Sequence, residues 1–257
     1  MPELPEVETA VRRLREAVQG KTVASASVRH PALRRRITPA LLRSLQGARV
    51  ASVDRRGKHQ LVTFDDGRIL HAHFRMAGDW HLDTVTDPLP RFARATIEFT
   101  DGSRVVLDDP RMLSTLDLHP ADAAPDLRLG PEPSDKALTP SSLRAAFAKR
   151  RGPIKPVLLD QRIIAGLGNI YAAESLWRAK LSPLTPASEL TVQQTRTLLA
   201  AIRTVLDRAT GLRYTASKDG RFAVYDREGK SCRRCGTTIA RVPQAGRSTY
   251  YCPGCQK

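Results

Sequence analysis

Gln60-Leu61-Val62-Thr63-Phe64-Asp65-Asp66-Gly67-Arg68-Ile69-Leu70 reads as two short β-runs around an Asp-Asp-Gly turn. β-Branched and aromatic residues suit a pleated strand, and Gly67 supplies the backbone freedom that a tight turn demands. The signature repeats on both sides. Val23–Val28, Ala95–Phe99 and Val105–Leu107 are further strand candidates, and Asp101-Gly102 is a second turn. Many short strands with turn punctuation between residues 22 and 108 predict an antiparallel sandwich. A short helix around residues 40–46 interrupts them.

Outside this region the period changes. Val7, Ala10, Val11, Leu14 and Val18 follow a helical repeat over residues 6–19, with Arg12, Arg13 and Arg15 largely on the other face, and Gly20 closes the helix. Pro120, Pro125, Pro131, Pro133 and Pro140 break any regular element between 119 and 140, so this stretch reads as a linker. Helical pattern then dominates from Ser141 to about Ala209. Its longest run, Leu190 to Leu206, places Leu198, Leu199, Ile202 and Leu206 on one face. The fold class expected is α+β.

With 257 residues the chain can build two modest cores. Its 42 Lys and Arg against 26 Asp and Glu give a net charge of +16. So large a surplus favours a polyanionic partner, nucleic acid above all, over a merely basic protein. No apolar segment has the form of a secretory signal or the length of a membrane span, which excludes those classes. All four cysteines lie between residues 232 and 255, leaving none for core disulfides. The expectation is a reducing cytoplasm, with nucleoid association in a bacterium, and a chain acting as a monomer.

Two short stretches suggest chemistry by residue type. Removal of Met1 would leave Pro2 with a free secondary amine, whose pKa of roughly 7.7–8.0 keeps a useful fraction unprotonated. Such an amine can attack an aldehyde carbon and form an iminium, and the carboxylate of Glu3 beside it can move protons. The plain alternative is an ordinary terminus whose Pro5 opens a helix. The second stretch is Cys232-x-x-Cys235 and Cys252-x-x-Cys255, separated by residues 236–251. That spacing fits a four-thiolate zinc site, one ion with no open coordination position and therefore structural; two disulfides are the alternative.

The opening Met1-Pro-Glu-Leu-Pro-Glu-Val-Glu8 resembles the start of the formamidopyrimidine-DNA glycosylase family. The likeness recurs along the chain. Arg55-Arg56-Gly57-Lys58 resembles the family's arginine-glycine-lysine segment, which implies that Lys58 is an acid/base partner and phosphate contact; otherwise it is a solvated turn charge. His73-Phe74-Arg75-Met76-Ala77-Gly78 resembles the segment that carries a methionine wedge, so Met76 fills the gap left by an extruded base unless it is core. Asp109-Pro110-Arg111-Met112-Leu113 matches the partner loop in part. Arg111 aligns with the arginine at the orphaned base, but Leu113 replaces the usual phenylalanine and Ser114 the following glycine. The family's DNA-contacting histidine before the next strand is missing, with Phe92 near that place. Arg151-Gly-Pro-Ile-Lys155-Pro156 through Ala165-Gly-Leu-Gly-Asn169-Ile-Tyr171 resembles the helix–two-turn–helix. Its glycines allow close backbone approach, Asn169 starts a helix over Ile170–Ala179 whose N-terminus suits phosphate, and Lys155 adds a point charge. Arg151 belongs to the same DNA-binding set. Gly246-Arg247-Ser248-Thr249-Tyr250 resembles the family's finger, where Arg247 grips the phosphate beside the lesion.

The resemblance implies an N-terminal catalytic β-sandwich flanked by helices (1–118), a linker (119–140), a helical helix–two-turn–helix domain (141–222) and a zinc finger (223–257). It implies a base-excision DNA glycosylase with AP lyase activity, acting on double-stranded DNA with damaged bases or abasic sites, with no membrane partner. Two alternatives remain. One is an endonuclease VIII-like enzyme preferring oxidised pyrimidines; the other is a non-catalytic damaged-DNA-binding protein. The stretch Thr210–Phe222 is short beside the loop that covers 8-oxoguanine in relatives. Formamidopyrimidines or oxidised pyrimidines are therefore expected to be better substrates than 8-oxoguanine. Leu113 is expected to loosen the preference for cytosine opposite the lesion.

Overall fold

The computed structural model describes residues 2–31, 33, 36–211 and 222–257. The chain divides into two compact units. One comprises Met1–Pro2 and Glu6–Leu127, the other Glu3–Pro5 and Arg128–Lys257.

Helix α1 (Leu4–Val18) leads into the first unit and buries Val7, Ala10, Val11, Leu14 and Val18, as the periodicity predicts. It begins two residues early. Pro5 sits in its first turn, where a missing N–H costs nothing. Gly20, at φ +83°, ends it. Eight strands follow: β1 (Val23–Val28), β2 (Val50–Arg56), β3 (His59–Phe64), β4 (Ile69–His73), β5 (Asp79–Thr84), β6 (Ala93–Phe99), β7 (Ser103–Asp108) and β8 (Thr115–His119), with the short α2 (Pro39–Arg43) after β1. They pair antiparallel in two sheets, ordered β1-β6-β7-β5 and β2-β3-β4-β8. One core joins both sheets to α1. Val28, Ile97 and Leu107 come from the first sheet, and Val53, Phe64 and Leu116 from the second. The expected sandwich is present. The strands not read from sequence, β2, β5 and β8, all lie at sheet edges, where charged residues replace the alternating apolar pattern.

In the second unit, α3 (Pro140–Ala148), α4 (Ile154–Leu158), α5 (Asn169–Arg178) and α6 (Val192–Ala209) enclose a core that includes Leu143, Phe147, Tyr171, Leu198 and Ile202. Thr139 and Thr191 cap α3 and α6 through reciprocal bonds with Ser142 and Gln194. Gln161 fixes the turns between α4 and α5, donating to Leu167 O (2.8 Å) and accepting from Gly166 N (2.9 Å). Arg203 on α6 holds the proline-rich stretch by donating to Pro133 O (2.7 Å) and Leu138 O (2.9 Å). The hairpin of β9 (Ala240–Gln244) and β10 (Arg247–Tyr251) closes the chain. Among the described residues, no helix is long and apolar enough to cross a membrane.

Candidate active site and nucleic-acid interface

Glu3 is almost fully buried, and its carboxylate sits at the start of α5. Oε1 accepts from Ile170 N at 2.8 Å and Oε2 from Tyr171 N at 3.3 Å. Gly168 precedes the helix and offers no side-chain cap. The N–H groups read from sequence as a phosphate site are therefore engaged by a carboxylate of the same chain, a favourable partner for the positive end of the helix. The glycines make this possible. A Cβ on Gly168 would lie 2.3 Å from Glu3 Cδ, and one on Gly166 would lie 2.4 Å from Leu4 Cδ1. Leu4 N also donates to Gly166 O at 3.1 Å. Pro2, next along the chain, is buried.

Lys155 is 1% exposed. Its Nζ donates to Asn169 Oδ1 (2.6 Å), Thr249 Oγ1 (2.8 Å) and Ser248 O (3.1 Å), three acceptors for three N–H bonds. Burial, then the Arg247 guanidinium, lower its pKa to about 8, with Glu3 opposing. Asn169 Nδ2 donates to Ser248 O at 3.2 Å. The ammonium thus ties α4 to the start of α5 and to β10, directly beside Arg247. Arg247 and Arg151 are exposed.

In the first unit, Lys58 follows Gly57 (φ +58°) in the turn joining β2 to β3 and is largely buried. Arg55 braces this turn, donating through Nη1 to Gly57 O (3.0 Å) and pairing through Nε with Glu8 (2.7 Å). Burial works against the Glu8 carboxylate, but hydrogen bonds from Arg55 and Arg12 outweigh it and lower its pKa.

Met76 and Leu113 are exposed apolar side chains, as is Met112, which the sequence did not single out. Arg111 is exposed too. Arg75 and Met112 have positive φ without being glycine, so each loop is held against its local preference. Asp109 does much of the holding. It is fully buried and accepts from Arg111 N (2.9 Å), Leu113 N (2.8 Å) and Ser114 N (2.7 Å). Ser114 Oγ then donates to Phe74 O at 3.1 Å, joining this loop to the Met76 turn. Asp109→Ala leaves three N–H groups without their acceptor and is expected to cost about 3 kcal/mol of unfolding free energy in urea titrations. Asp109→Asn should cost less, because the amide keeps one acceptor oxygen.

Cys232, Cys235, Cys252 and Cys255 bring their sulfurs within 4.8 Å of one another. Sγ of Cys232 and Cys255 are 3.9 Å apart, and those of Cys235 and Cys252 3.4 Å. Tetrahedral zinc with Zn–S bonds of about 2.3 Å needs S···S spacings of about 3.8 Å, whereas a disulfide needs about 2.05 Å. The donor set fits one structural zinc. Its chemistry agrees: burial and then the sulfurs of Cys252 and Cys232 push Cys255 up to about 12, so four thiolates call for a central cation. Trp177 Nε1 donates to Cys232 Sγ (3.5 Å), and Ala173, Val224 and Ile239 pack against the buried Cys232 and Cys252.

A β-sandwich with a four-cysteine finger and a two-turn helical module defines a class, and comparison with known proteins agrees throughout. Residues 1–116 match the model of the formamidopyrimidine-DNA glycosylase N-terminal domain. Residues 129–219 match the H2TH domain of the same enzymes, and 229–257 the zinc finger found in FPG and IleRS. The chain belongs to the formamidopyrimidine-DNA glycosylase family. It is 39% identical to the formamidopyrimidine-DNA glycosylase of Paracoccus denitrificans and 40% to that of Erythrobacter litoralis, each over the full length of both chains. The crystal structure of Lactococcus lactis formamidopyrimidine-DNA glycosylase bound non-covalently to DNA containing an AP site superposes over 100% of both chains, with a TM-score of 0.91 at 31% identity. A complex of the same enzyme with Fapy-dG DNA reaches 0.91 at 30% identity, covering 99% of this chain and 100% of that one.

Proposed function

We propose that this chain excises oxidised bases, formamidopyrimidines and oxidised purines, from double-stranded DNA and cuts the strand by successive β- and δ-elimination. The observation that carries the reading is the Pro2-Glu3 start, with Glu3 seated on the first N–H groups of α5, in a chain matching the family from end to end. The Pro2 nitrogen attacks C1′ of the damaged nucleotide, and the bond to the base breaks with its electron pair, which takes up a proton. Glu3 takes up the proton that the attacking amine loses and delivers it to the sugar ring oxygen as the ring opens and the iminium forms. The iminium acidifies the C2′ proton; its removal, assisted by Lys58, expels the 3′ phosphate, and a second elimination expels the 5′ phosphate. Zinc takes no part in bond making. Borohydride tests the reading: reduction of the iminium links an active chain covalently to abasic DNA, and absence of any trapped product would favour a purely DNA-binding protein.

Arg247 grips the phosphate flanking the lesion and Arg151 the adjoining backbone, while Met76, Arg111 and Leu113 occupy and read the vacated stack. Asn169 and Lys155 belong to the same interface; with Lys155 buried, its contribution is to hold Asn169 and the Arg247 hairpin in place. The functional division we propose is a catalytic domain (1–118), a linker (119–140), a helix–two-turn–helix domain (141–222) and a finger (223–257), working as a monomer in a cytoplasmic setting. Residues 212–221, on which the expected lesion preference rests, lie outside the described residues. Single-turnover excision from matched lesion duplexes tests that preference.

Two expected outcomes test the roles. Gly168→Ala forces Glu3 off α5. Base excision should then fall by roughly 10²-fold, as a displacement near 1 Å typically costs. Cleavage of a pre-formed abasic site should fall much less. Phosphate contacts by Lys58, Arg151 and Arg247 predict a log K against log salt slope of about −2.7 or steeper, made shallower by about one in Arg247→Ala. A flat salt dependence would contradict the phosphate contacts.

A further inference from the structure

Four of the chain's six histidines stand together on the second sheet, and no step above uses them. His59 on β3 lies opposite His73 on β4; His71 follows on the same strand, opposite Asp117 of β8, and His119 lies opposite Ile69. Alternation along the strands puts all four imidazoles and Asp117 on one face, while Gln60, Leu70, Ala72 and Leu116 turn to the core. The rings form a row. Centroids are 4.7 Å apart for His73 and His59, 4.9 Å for His59 and His71, and 5.6 Å for His71 and His119. Within the row, His59 Nδ1 and His71 Nε2 approach to 2.7 Å. His119 Nε2 is buried and has no hydrogen-bond partner among the described residues. His73 differs, because its Nδ1 already accepts from Arg75 N at 2.9 Å.

We propose that His59 and His71, with His119 as the third ligand, form a binding site for one divalent transition ion of the zinc, nickel and copper group. Imidazole nitrogen suits these ions, whereas calcium and magnesium take oxygen. Two nitrogens on one tetrahedral ion with bonds of about 2.0–2.1 Å stand about 3.3 Å apart, so the pair opens by about 0.6 Å. The shared proton moves to the outward nitrogen of its own ring, leaving both facing lone pairs free. Rotation of the His119 ring then gives its orphaned nitrogen a partner. Among the described residues only the four cysteines already bring three donors together, so this second site forms around its ion rather than ahead of it.

The electrostatics allow it within limits. Burial first, and neighbouring imidazoles and cations after it, hold His59 down to about 4 and lower His71, so both rings are neutral at neutral pH and each offers one lone-pair nitrogen beside its one N–H. Arg36, Arg75 and Lys58 oppose a cation here, and Asp117 supplies a carboxylate against them. The site should therefore bind more weakly than the finger. It is separate from the proposed reaction and stands or falls without it.

The test is calorimetric titration of the zinc-loaded full chain with nickel(II) at neutral pH. One saturable equivalent beyond the finger zinc is expected. His59→Phe and His71→Phe, which keep ring volume and lose the nitrogens, should each weaken it at least tenfold, roughly the least that losing a ligand costs. His81→Phe, outside the row, should leave it unchanged. Should a phenylalanine variant fail to fold, His71→Gln serves, and nickel should raise the unfolding temperature of the unmodified chain but not of that variant. Absence of saturable binding in the unmodified chain, or equal uptake by His71→Phe or His71→Gln, overturns the proposal.

Discussion

An alanine inserted ahead of Pro2 lowers borohydride trapping and strand cleavage by roughly a thousandfold or more, the scale on which removal of a covalent nucleophile acts. The insertion turns the proline nitrogen into an amide. Its lone pair is then delocalised into a carbonyl and no longer attacks C1′. Binding to abasic DNA, which the proposal assigns to Arg151, Arg247 and the exposed Met76 and Leu113, should survive far better than turnover. Pro2→Gly is the milder variant, because its primary amine still condenses with an aldehyde. The order expected is therefore unmodified chain, then Pro2→Gly, then the extended chain, with intact mass confirming each N-terminus. Equal trapping by the extended chain would place the nucleophile elsewhere, on Lys58 or on the inserted alanine's own primary amine.

How far the sequence carries depends on where a residue's partners lie. The central strands β3, β4, β6 and β7 show in the sequence because each is flanked on both sides and must bury alternate residues. The edge strands β2, β5 and β8 carry Arg55, Asp79 and Asp117, and charge there hides the pattern. The cysteines stand out by chemical type and spacing alone, whereas Pro2 and Glu3 read as an ordinary terminus until the resemblance along the rest of the chain is added. Asp109 does not, because an aspartate before a proline looks like ordinary turn chemistry until Arg111, Leu113 and Ser114 are seen to converge on it. Lys155 reads as a point charge offered to phosphate. It is buried because two of its acceptors, Ser248 and Thr249, come from 93 and 94 residues away. Gly166 and Gly168 read correctly as sites of close approach, but what approaches them, Leu4 and Glu3, is set by the fold.

Zinc removal should do more damage than the size of the finger suggests. Stripping the metal with a chelator, or Cys252→Ser, withdraws a binding free energy on the order of 10 kcal/mol from a module with almost no other core. Among the described residues, its apolar cluster buries only Ala173, Val224 and Ile239 besides Cys232 and Cys252. Residues 232–255 should lose amide protection together. The loss then spreads along a definite route. Thr249 Oγ1 and Ser248 O leave Lys155, whose buried ammonium keeps Asn169 as its remaining partner in that trio. An incompletely paired buried charge is costly, so α4 and the start of α5 should loosen as well, and with them the seat of Glu3. The expected result is loss of lesion binding and of base excision together, restored by added zinc. Arg247→Ala separates the two effects: it should weaken lesion binding while zinc content and amide protection of the finger stay unchanged. Full lesion affinity in the metal-free chain would show that the finger is dispensable to the interface.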